Sequence, residues 1–499
     1  MTVATVLDKA GVLAAAAPGE HIGLDSALAE RFVSGLAYDS RLVELDNLFF
    51  AFPGARADGR RFAADAIAKG ALAVVSESAR PADFPSPWIQ VAHGRKALAA
   101  ASKNFFGAPD ERLFLAAITG TNGKTTTSYL IDYILRASGF KTSLVGTIGY
   151  HVSGRAIPAV NTTPESLDLF RLLDQSVREG VTHFVFENSS HAQALGRSWG
   201  LYVHTAIFTN LTRDHLDFHL TMENYFEAKC LMFSPTGIAA PQAAIINHDD
   251  EWGRRIPVVS EVYWYGLQSD AAYRAINIRN DFEGLRFDIT TPNGPIAIES
   301  TLIGHINVYN ILAAFCCGLS FGIDPLQIAR GVAECPAVPG RFERIDEGQE
   351  FLVAVDYAHT DDALRNVVAV ARSLKPKRVI TLFGCGGDRD RTKRPLMGQA
   401  AAEGSDFIVL TSDNPRSEDP LKIIDDVLPG LAIYATPRLI ESDREKAIRA
   451  ALNKAEPGDI VLLTGKGCET YQVLADRTID FDDREVARRI LREMGHGKQ

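Results

Sequence analysis

Cysteine is scarce in this chain of 499 residues, and its six cysteines are scattered. None forms a Cys-x-x-Cys pair, so neither the usual spacing of a zinc site nor a disulfide framework is present. Without a disulfide framework, a reducing compartment fits best, and we predict a cytoplasmic protein.

Long apolar runs and an excess of positive charge are also missing. Ala14 to Ala17 is too short for an export signal or a membrane span. The run from Ile311 to Ile323 is interrupted by glycine and serine, so we predict a buried helix there. A net charge of -10 argues against nucleic acid as the main partner. We therefore expect no nucleic acid partner and no membrane insertion. We also predict a monomer.

The composition that remains is that of a soluble globular protein, with 46% hydrophobic and 23% charged residues. The length allows several domains. Short β-rich runs alternate with helical patterns throughout, which predicts an α/β protein with mostly parallel sheets. A break around Cys335 to Gly340, with two prolines and a glycine, is typical of a linker. We predict three domains, at residues 1–110, 111–338 and 339–499.

The most informative stretch is FLAAITGTNGKTTT, from Phe114 to Thr127. It predicts a strand that turns through Gly120 to Gly123 into a helix beginning at Lys124. Backbone N–H groups and the helix N-terminus then face one volume, which suits a polyphosphate. Lys124 supplies a cation and Thr125 a hydroxyl for Mg²⁺. An ordinary glycine-rich turn is the alternative, but the joint placement of glycine, lysine and two hydroxyls favours phosphate binding.

Polar residues follow other predicted strands of this central region. Glu187 follows the strand at Phe184 to Phe186, and His215 lies downstream of the strand at Ala206 to Thr209. In parallel sheets such strand ends meet at one edge, where ligands bind. Glu187 is therefore a candidate magnesium ligand. His215 is equally a candidate ligand or an ordinary loop histidine, and Lys229 by itself predicts a solvated helix residue.

The motifs GTNGKTTT, NTTP, ENSSH, TNLTRDHLDFH, GHINVYN, VDYAHTDDAL, FGCGGDRD, DNPRSEDP and GKGCETYQ, in this order, resemble those of the Mur ligases. The resemblance covers essentially the whole chain. It implies a small N-terminal α/β domain for a uridine nucleotide, a central P-loop ATPase domain with a parallel sheet, and a C-terminal Rossmann-like domain for an amino acid. The motifs are most similar to the branch that adds the third residue of the peptidoglycan peptide.

That resemblance implies an acyl-phosphate reaction. ATP phosphorylates the D-glutamate carboxylate of UDP-N-acetylmuramoyl-L-alanyl-D-glutamate, and the amine of meso-diaminopimelate attacks the acyl phosphate. Catalytic roles are implied for Lys124, Glu187, His215 and Lys229. Thr125 and Glu187 would hold one Mg²⁺, and His215 with a carbamylated Lys229 would help hold a second.

The resemblance also assigns binding residues. For ATP these are Gly120, Thr121, Asn122, Gly123, Lys124, Thr125, Thr126, Asn307, Arg341 and Asp356. For the UDP-linked substrate they are Tyr38, Ser40, Ala55, Arg56, Ala57, Asn161, Thr162, Thr163, Ser189 and Arg197. For the amino acid they are Arg389, Asp413, Asn414, Pro415, Arg416, Gly465 and Glu469. Three positions depart from the family pattern, namely Asn188, Leu195 and Cys468.

The motif DNPR accompanies diaminopimelate in this family, because Arg416 can pair with the distal carboxylate and Asp413 or Glu469 with the distal ammonium. The same reaction with lysine or ornithine is an alternative. An enzyme similar to folylpolyglutamate synthase shares GTNGKT but needs neither DNPR nor a uridine domain. A non-catalytic nucleotide switch is a further alternative, although a switch would not need a second metal site.

Overall fold

The computed structural model describes residues 1–7, 23–54, 57–233, 240–268 and 271–497. The chain divides into two compact units. The first comprises Met1–Arg274, Thr290–Ile296 and Tyr309–Gly331, and the second comprises Ala275–Ile289, Ala297–Val308 and Val332–Gln499. Within the described ranges, no helix combines the length and the apolar character needed to cross a membrane.

The first unit begins with a four-stranded parallel sheet of order β1-β2-β3-β4. Its elements are α1 (Val3–Leu7), α2 (Ser26–Ala29), β1 (Gly35–Ala37), β2 (Asn47–Phe50), α3 (Ala63–Ala68), β3 (Ala73–Ser76), β4 (Trp88–Gln90) and α4 (Gly94–Phe105). Strands β2 and β3 are buried along their whole length, which explains their continuous apolar runs.

The sequence predicts one helix over residues 58–69, and the structure divides it. Gly59–Phe62 forms a 3₁₀ turn and only α3 is α-helical. The side chain of Asp58 accepts a hydrogen bond from the Arg60 N–H, two residues ahead. This local bond favours the tighter turn at the start. The sequence predicts Gly70 just past the end of this helix. In the structure Gly70 follows α3 with a φ of +101°, a positive value that glycine adopts readily at a helix end.

A larger sheet follows in the same unit. Its order is β12-β11-β10-β5-β9-β6, all parallel, with β7 and β8 added as an antiparallel edge. The elements are β5 (Phe114–Thr119), α5 (Lys124–Ala137), β6 (Thr142–Val145), β7 (Tyr150–Val152), β8 (Arg155–Ile157), α6 (Ser166–Arg178), β9 (His183–Glu187), α7 (Ser190–Ala194), β10 (Thr205–Phe208), α8 (Leu216–His219), α9 (Met222–Cys230), β11 (Ala243–Asn247) and β12 (Glu261–Gly266). The predicted parallel sheet is confirmed.

The sequence predicts a small antiparallel appendage over residues 262–300, with a turn at Asn293 and Gly294, and the segment after β12 forms three strands and two helices. These elements are β13 (Tyr273–Asp281), β14 (Gly284–Thr290), β15 (Ile296–Ser300), α10 (His305–Ser320) and α11 (Pro325–Glu334). The turn at Asn293 and Gly294 closes with a bond of 3.1 Å from the Gly294 N–H to the Thr291 carbonyl oxygen. The predicted buried helix is α10, which begins before Ile311 and ends at Ser320.

The second unit contains a six-stranded sheet of order β16-β17-β21-β18-β19-β20, parallel except for β16. Its elements are β16 (Glu343–Ile345), β17 (Leu352–Asp356), α12 (Asp361–Ser373), β18 (Val379–Phe383), α13 (Lys393–Gly404), β19 (Phe407–Leu410), α14 (Pro420–Leu431), β20 (Arg438–Ile440), α15 (Arg444–Lys454), β21 (Ile460–Thr464), β22 (Tyr471–Val473), β23 (Thr478–Asp480) and α16 (Asp483–Glu493). Two separate apolar clusters, one packed with α12 to α14 and one with α15 and α16, cover the sheet. This is the predicted doubly wound arrangement.

Candidate active site

The phosphate loop joins β5 to α5 with glycine at two positions where no side chain fits. Gly120 has a φ of +146°, and a Cβ there would lie 1.9 Å from Thr209 Oγ1. Gly123 has a φ of +86°, and its Cβ would lie 2.3 Å from Asn310 Oδ1. Lys124 Nζ folds back over the loop and donates to the carbonyl oxygens of Gly120 and Thr121, both at 2.9 Å. The loop is therefore closely packed, with its cation beside the backbone.

The other loop residues are held by the end of β10. Asn210 accepts hydrogen bonds from the N–H groups of Thr121, at 2.8 Å through its carbonyl oxygen, and Asn122, at 3.0 Å through its side chain. Thr126 is buried in the first turn of α5. The structure thus gathers residues 120–126 at the carboxyl end of the sheet, where the sequence predicts a phosphate site.

Thr125, in the first turn of α5, meets Glu187, the last residue of β9. Thr125 Oγ1 donates to Glu187 Oε2 at 3.1 Å, and the carboxylate is 1% exposed. Thr147, which sequence analysis missed, donates its N–H to Oε1 at 2.9 Å and its hydroxyl to Oε2 at 3.0 Å. A Cβ on Gly146 would lie 2.3 Å from Glu187 Oε1, so the chain comes unusually close here. The site offers hard oxygen donors, which Mg²⁺ prefers.

Lys229 is buried. The helical pattern around it, taken alone, predicts a solvent-exposed side chain, so that prediction is wrong. Its side chain is 1% exposed because α9 packs this face against the phosphate loop, and Nζ donates to the Gly120 carbonyl oxygen at 2.8 Å. Nζ also lies 4.5 Å from the ring centroid of Tyr225. Burial, and secondarily the charge of Lys124, lowers the pKa of Lys229 well below its ordinary value.

His215 lies beside the same aromatic ring. It adopts the left-handed conformation with a φ of +53°, and its ring centroid is 6.0 Å from that of Tyr225. Its Nε2 is 3.5 Å from Asp214 Oδ2. Burial lowers the pKa of His215, which favours the neutral imidazole that can ligate a metal. The structure therefore brings both His215 and Lys229 against Tyr225.

Sequence analysis missed a chain of polar contacts around Tyr225. Tyr225 Oη is 3.2 Å from Thr121 Oγ1 in the phosphate loop. Its ring stacks on His219 at 4.9 Å between centroids, and His219 Nε2 is 3.0 Å from Ser190 Oγ. The spacing of Tyr225 four residues before Lys229, on one helix face, is the signal that could have revealed this group. Among the residues that the structure describes, no group of three His, Cys, Asp or Glu side chains could hold a metal.

The residues assigned to the muramoyl dipeptide gather beside Glu187. Thr163 Oγ1 donates to the Glu187 carbonyl oxygen at 2.8 Å and accepts from the Ser189 N–H at 3.0 Å. Arg197 Nη1 donates to the Thr163 carbonyl oxygen at 3.1 Å. Thr162 Oγ1 is 3.0 Å from Thr147 Oγ1, and the Asn161 carbonyl oxygen accepts from the Tyr150 hydroxyl at 2.6 Å.

The residues assigned to the uridine nucleotide lie in the segments that follow β1 and β2. The Tyr38 hydroxyl donates to Asp168 Oδ2 at 2.5 Å, and the Ser40 carbonyl oxygen accepts from Lys69 Nζ at 2.9 Å. The Ala57 carbonyl oxygen accepts from the Gly54 N–H at 2.9 Å. The predicted contacts Ala55 and Arg56 lie outside the described residues.

The residues assigned to adenosine belong to the second unit. The Asp356 carboxylate accepts from the N–H groups of Phe342, at 2.7 Å, and Ala358, at 2.8 Å. Arg341 lies 5.3 Å from the ring centroid of Tyr357. Asn307 Nδ2 donates to the Ile303 carbonyl oxygen at 2.7 Å. Arg341 and Asp356 thus lie close in the structure, and burial raises the pKa of Asp356.

The residues assigned to the amino acid surround the ends of β18, β19 and β21. Asn414 Nδ2 donates to Glu469 Oε2 at 2.8 Å, and Lys466 Nζ, fully buried, lies 3.1 Å from the same oxygen. Gly465 has a φ of +108°, and a Cβ there would lie 2.5 Å from Asp413 Oδ2. Pro415 is buried beside them. Lys466 is a residue of this site that sequence analysis missed.

Arg389 and Arg416 approach the same glycine. A Cβ on Gly386 would lie 2.9 Å from Arg416 Nη1 and 3.8 Å from Arg389 Cγ. Arg416 Nη1 also donates to the Gly387 carbonyl oxygen at 2.8 Å. Two arginine side chains therefore share one edge of the site, which suits a carboxylate.

Three sequence profiles match the chain in order. They describe the Mur ligase family catalytic domain at residues 32–106, the Mur ligase middle domain at 118–318 and the Mur ligase glutamate ligase domain at 340–467. The chain belongs to the Mur ligase family. The resemblance and the three-domain α/β fold are thereby confirmed, whereas the boundaries at residues 110 and 338 stay predictions.

Several curated proteins that are similar to this chain share one name. A UDP-N-acetylmuramoyl-L-alanyl-D-glutamate--2,6-diaminopimelate ligase of Solibacter usitatus is 61% identical over 471 residues, covering 94% of this chain and 95% of that protein. One of the same name from Geobacillus thermodenitrificans is 45% identical over 467 residues, covering 92% and 95%.

Solved structures of other ligases share the fold. A structure of a UDP-N-acetylmuramoyl-L-alanyl-D-glutamate--2,6-diaminopimelate ligase is 34% identical with a TM-score of 0.70, covering 95% of this chain and 98% of that chain. Folylpolyglutamate synthase of Mycobacterium tuberculosis is 15% identical with a TM-score of 0.57, covering 80% and 95%, which shows the fold alone.

Proposed function

We propose that this Mur ligase joins meso-2,6-diaminopimelate to the D-glutamate of UDP-N-acetylmuramoyl-L-alanyl-D-glutamate at the expense of ATP. One observation carries this function: the chain is 61% identical, over 94% of its length, to a ligase named for that reaction. The two arginines beside Gly386 give the assignment a physical basis, because diaminopimelate carries a distal carboxylate and lysine does not.

The reaction begins by activating a carboxylate. The D-glutamate side-chain carboxylate attacks the γ-phosphorus of ATP, ADP leaves, and an acyl phosphate forms. The amine of diaminopimelate then attacks the acyl carbon and loses a proton, and inorganic phosphate leaves. Such phosphoryl transfer depends chiefly on positioning and charge stabilisation. Holding the amine beside the acyl phosphate accounts for roughly 7–11 kcal/mol of the barrier in well-oriented systems.

The phosphate loop positions ATP. The N–H groups at the start of α5 and the Lys124 ammonium bind the phosphates, and Lys124 stabilises charge on the transferring group. On binding, Lys124 Nζ exchanges its bonds to the Gly120 and Thr121 carbonyl oxygens for phosphate oxygens. Asn307, Arg341 and Asp356 bind the adenosine end.

Thr125 and Glu187 fit a magnesium site. Their oxygens lie 3.1 Å apart in buried surroundings, and the carboxylate is already oriented by Thr147. A hard cation there would neutralise phosphate charge. His215 and Lys229 fit a second site, provided that Lys229 carries oxygen donors. A carbamate supplies them: the neutral Lys229 amine attacks CO₂, forms an N–C bond and loses one proton.

The UDP-linked substrate binds beside these groups. Thr163 contacts the Glu187 backbone, and Ser189 and Arg197 contact Thr163. These three residues hold the muramoyl dipeptide, together with Asn161 and Thr162. Tyr38, Ser40 and the segment around Ala57 bind the uridine nucleotide, with Ala55 and Arg56 assigned on sequence alone. We further propose a monomeric cytoplasmic enzyme with domains at residues 1–110, 111–338 and 339–499.

Amino-acid-dependent phosphate release from ATP tests this function. The purified enzyme is given the UDP-linked dipeptide, ATP and Mg²⁺, with meso-diaminopimelate, L-lysine or L-ornithine in separate reactions. We expect turnover with diaminopimelate, and the tripeptide product is verified by mass spectrometry. Turnover with lysine or ornithine alone would overturn the amino-acid assignment. Absence of turnover with all three would favour a nucleotide-binding switch.

A further inference from the structure

Charged side chains that the proposed reaction does not use tie together the two loops carrying Arg389 and Arg416. One loop follows β18 and the other follows β19, its parallel neighbour. The Gly387 N–H donates to the Asn414 carbonyl oxygen at 2.9 Å, which fixes the two loops to each other through their backbones.

Glu418 and Arg394 form the base of this connection. Arg394 is 1% exposed, and its guanidinium donates to Glu418 Oε1 at 2.8 Å and Oε2 at 3.1 Å. Asp426 accepts a further bond from Arg394 at 2.8 Å. Glu418 Oε1 also accepts the Asp388 N–H at 2.6 Å, so one carboxylate from the β19 side holds the backbone of the β18 loop.

Asp388, in the loop after β18, binds in turn to the loop after β19. Its carboxylate accepts from the Ser417 hydroxyl at 2.6 Å and from the Ser417 N–H at 3.2 Å. Asp388 and Arg416 both adopt the left-handed conformation, with φ values of +53° and +52°. Residues other than glycine rarely adopt this conformation unless their surroundings hold them there. The contacts between Asp388, Ser417 and Glu418 supply those surroundings.

The result is that the backbone segments carrying the two arginines are fixed to each other. Arg389 immediately follows Asp388, Arg416 immediately precedes Ser417, and both arginines approach Gly386. A buried ion pair such as that of Arg394 adds little net stability compared with apolar packing, so stability alone does not account for it. What the pair does provide is a single arrangement of the loops.

We propose that Arg394, Glu418 and Asp388 are positioning residues that set the two arginines for the distal carboxylate of the incoming diamino acid. They form an ionic clamp that determines specificity without touching the substrate. This inference rests on the proposed function, because it needs Arg389 and Arg416 to bind that carboxylate.

The test compares steady-state kinetics of the wild-type enzyme and its Glu418→Gln variant, with each substrate varied in turn. We expect the KM for meso-diaminopimelate to rise at least tenfold, while the KM values for ATP and the UDP-linked dipeptide stay within twofold, because about 1.4 kcal/mol of lost alignment is a factor of ten. The ratio of kcat/KM for diaminopimelate to kcat/KM for lysine should fall by the same factor. The Glu418→Asp variant keeps the negative charge, so its ratio should lie between those of Glu418→Gln and the wild type.

Glu403→Gln is the matched control. Glu403, on α13, accepts a hydrogen bond of 2.8 Å from Arg365, on α12 of the same unit. The variant therefore loses an arginine–glutamate pair that is more exposed and lies away from the two loops. Its kinetic constants should match those of the wild type. Melting temperatures of all variants are measured alongside.

If Glu418→Gln fails to fold, Asp388→Asn and Ser417→Ala, which change exposed side chains, give the same test. The clamp is overturned if selectivity against lysine is unchanged, or if all KM values shift together with the melting temperature. A wild-type enzyme that does not use diaminopimelate would instead overturn the proposed function, and the two failures are therefore distinguishable.

Discussion

Lys229 Nζ lies 2.8 Å from the carbonyl oxygen of Gly120, so a fully buried lysine of α9 touches the turn that begins the phosphate loop. A buried ammonium is unfavourable unless it is paired, and the nearby charges that act on Lys229 are Lys124, which is repulsive, and Asp214, which is attractive. Conversion of the neutral amine to a carbamate would place an anion beside Lys124 and so replace this repulsion with an attraction.

We therefore expect Lys229→Ala to lose catalysis almost completely. Carbon-13-labelled bicarbonate should give the wild-type enzyme a carbamate resonance by nuclear magnetic resonance, and the variant should lack it. Lys103→Ala is the control, since Lys103 is half-buried but paired with Asp110 at 2.8 Å. Full activity of Lys229→Ala would contradict the proposed role.

Gly120→Ala should abolish ATP binding. The new Cβ would lie 1.9 Å from Thr209 Oγ1, so the loop has to move away from β10. Gly139→Ala is matched, because Gly139 also has a positive φ of +84° but has open space within 4 Å of where its Cβ would lie. It should lose about 1–2 kcal/mol of stability and keep nucleotide affinity, as measured by calorimetric titration. Unimpaired ATP binding by Gly120→Ala would contradict the role of the loop.

Arg416→Ala should raise the KM for meso-diaminopimelate by about tenfold to a hundredfold, since a charge-assisted hydrogen bond contributes roughly 1.5–3 kcal/mol. The KM for ATP should stay nearly unchanged. Arg477→Ala serves as the control, because Arg477 is a surface arginine paired only with Asp476 among the ion pairs of the described residues. A comparable loss of affinity for ATP would contradict the assignment.

Asp483→Ala should destabilise the protein by about 3–5 kcal/mol, because it leaves a buried guanidinium without its counter-ion. The side chains of Arg444 and Asp483 are both 0% exposed, and Arg444 also donates to the carbonyl oxygens of Ser412 and Thr464. Glu445→Ala breaks an exposed pair between the same two helices, α15 and α16, and should cost under about 1 kcal/mol. The free energy of unfolding of both variants is measured in urea. Equal losses would contradict the larger contribution of the buried pair.

Stability in weak acid should depend on Glu418. Hydrogen bonds from Arg394, and then from the Asp388 N–H, lower the pKa of Glu418 from 4.5 to about 2. A folded-state pKa below the unfolded value means that the stabilisation is present above pH 4.5 and is lost as the pH falls towards about 2. Urea midpoints should therefore fall more steeply with acidification in the wild type than in Glu418→Gln. Parallel slopes would refute this.

Much of the fold could be predicted because its strands are short apolar runs that end in polar loops. The apolar runs at residues 352–356, 379–383 and 460–464 predict three strands, and these are the bounds of β17, β18 and β21 in the structure. The prediction of a helix over residues 58–69 is less accurate. The Asp58 side chain accepts a hydrogen bond from the Arg60 N–H, which favours a 3₁₀ turn over the first helical turn. The hydrophobic periodicity of a sequence does not reveal such a side-chain bond.

The sequence by itself determined the family, the phosphate loop and the order of the polar strand ends, because glycine, lysine and hydroxyl residues have to occur at fixed spacing to bind phosphate. Only the tertiary structure decided that Lys229 is buried, that Thr147 orients Glu187, and that Glu418 reaches the backbone of Asp388. These contacts join residues far apart in the chain, and packing between elements sets them.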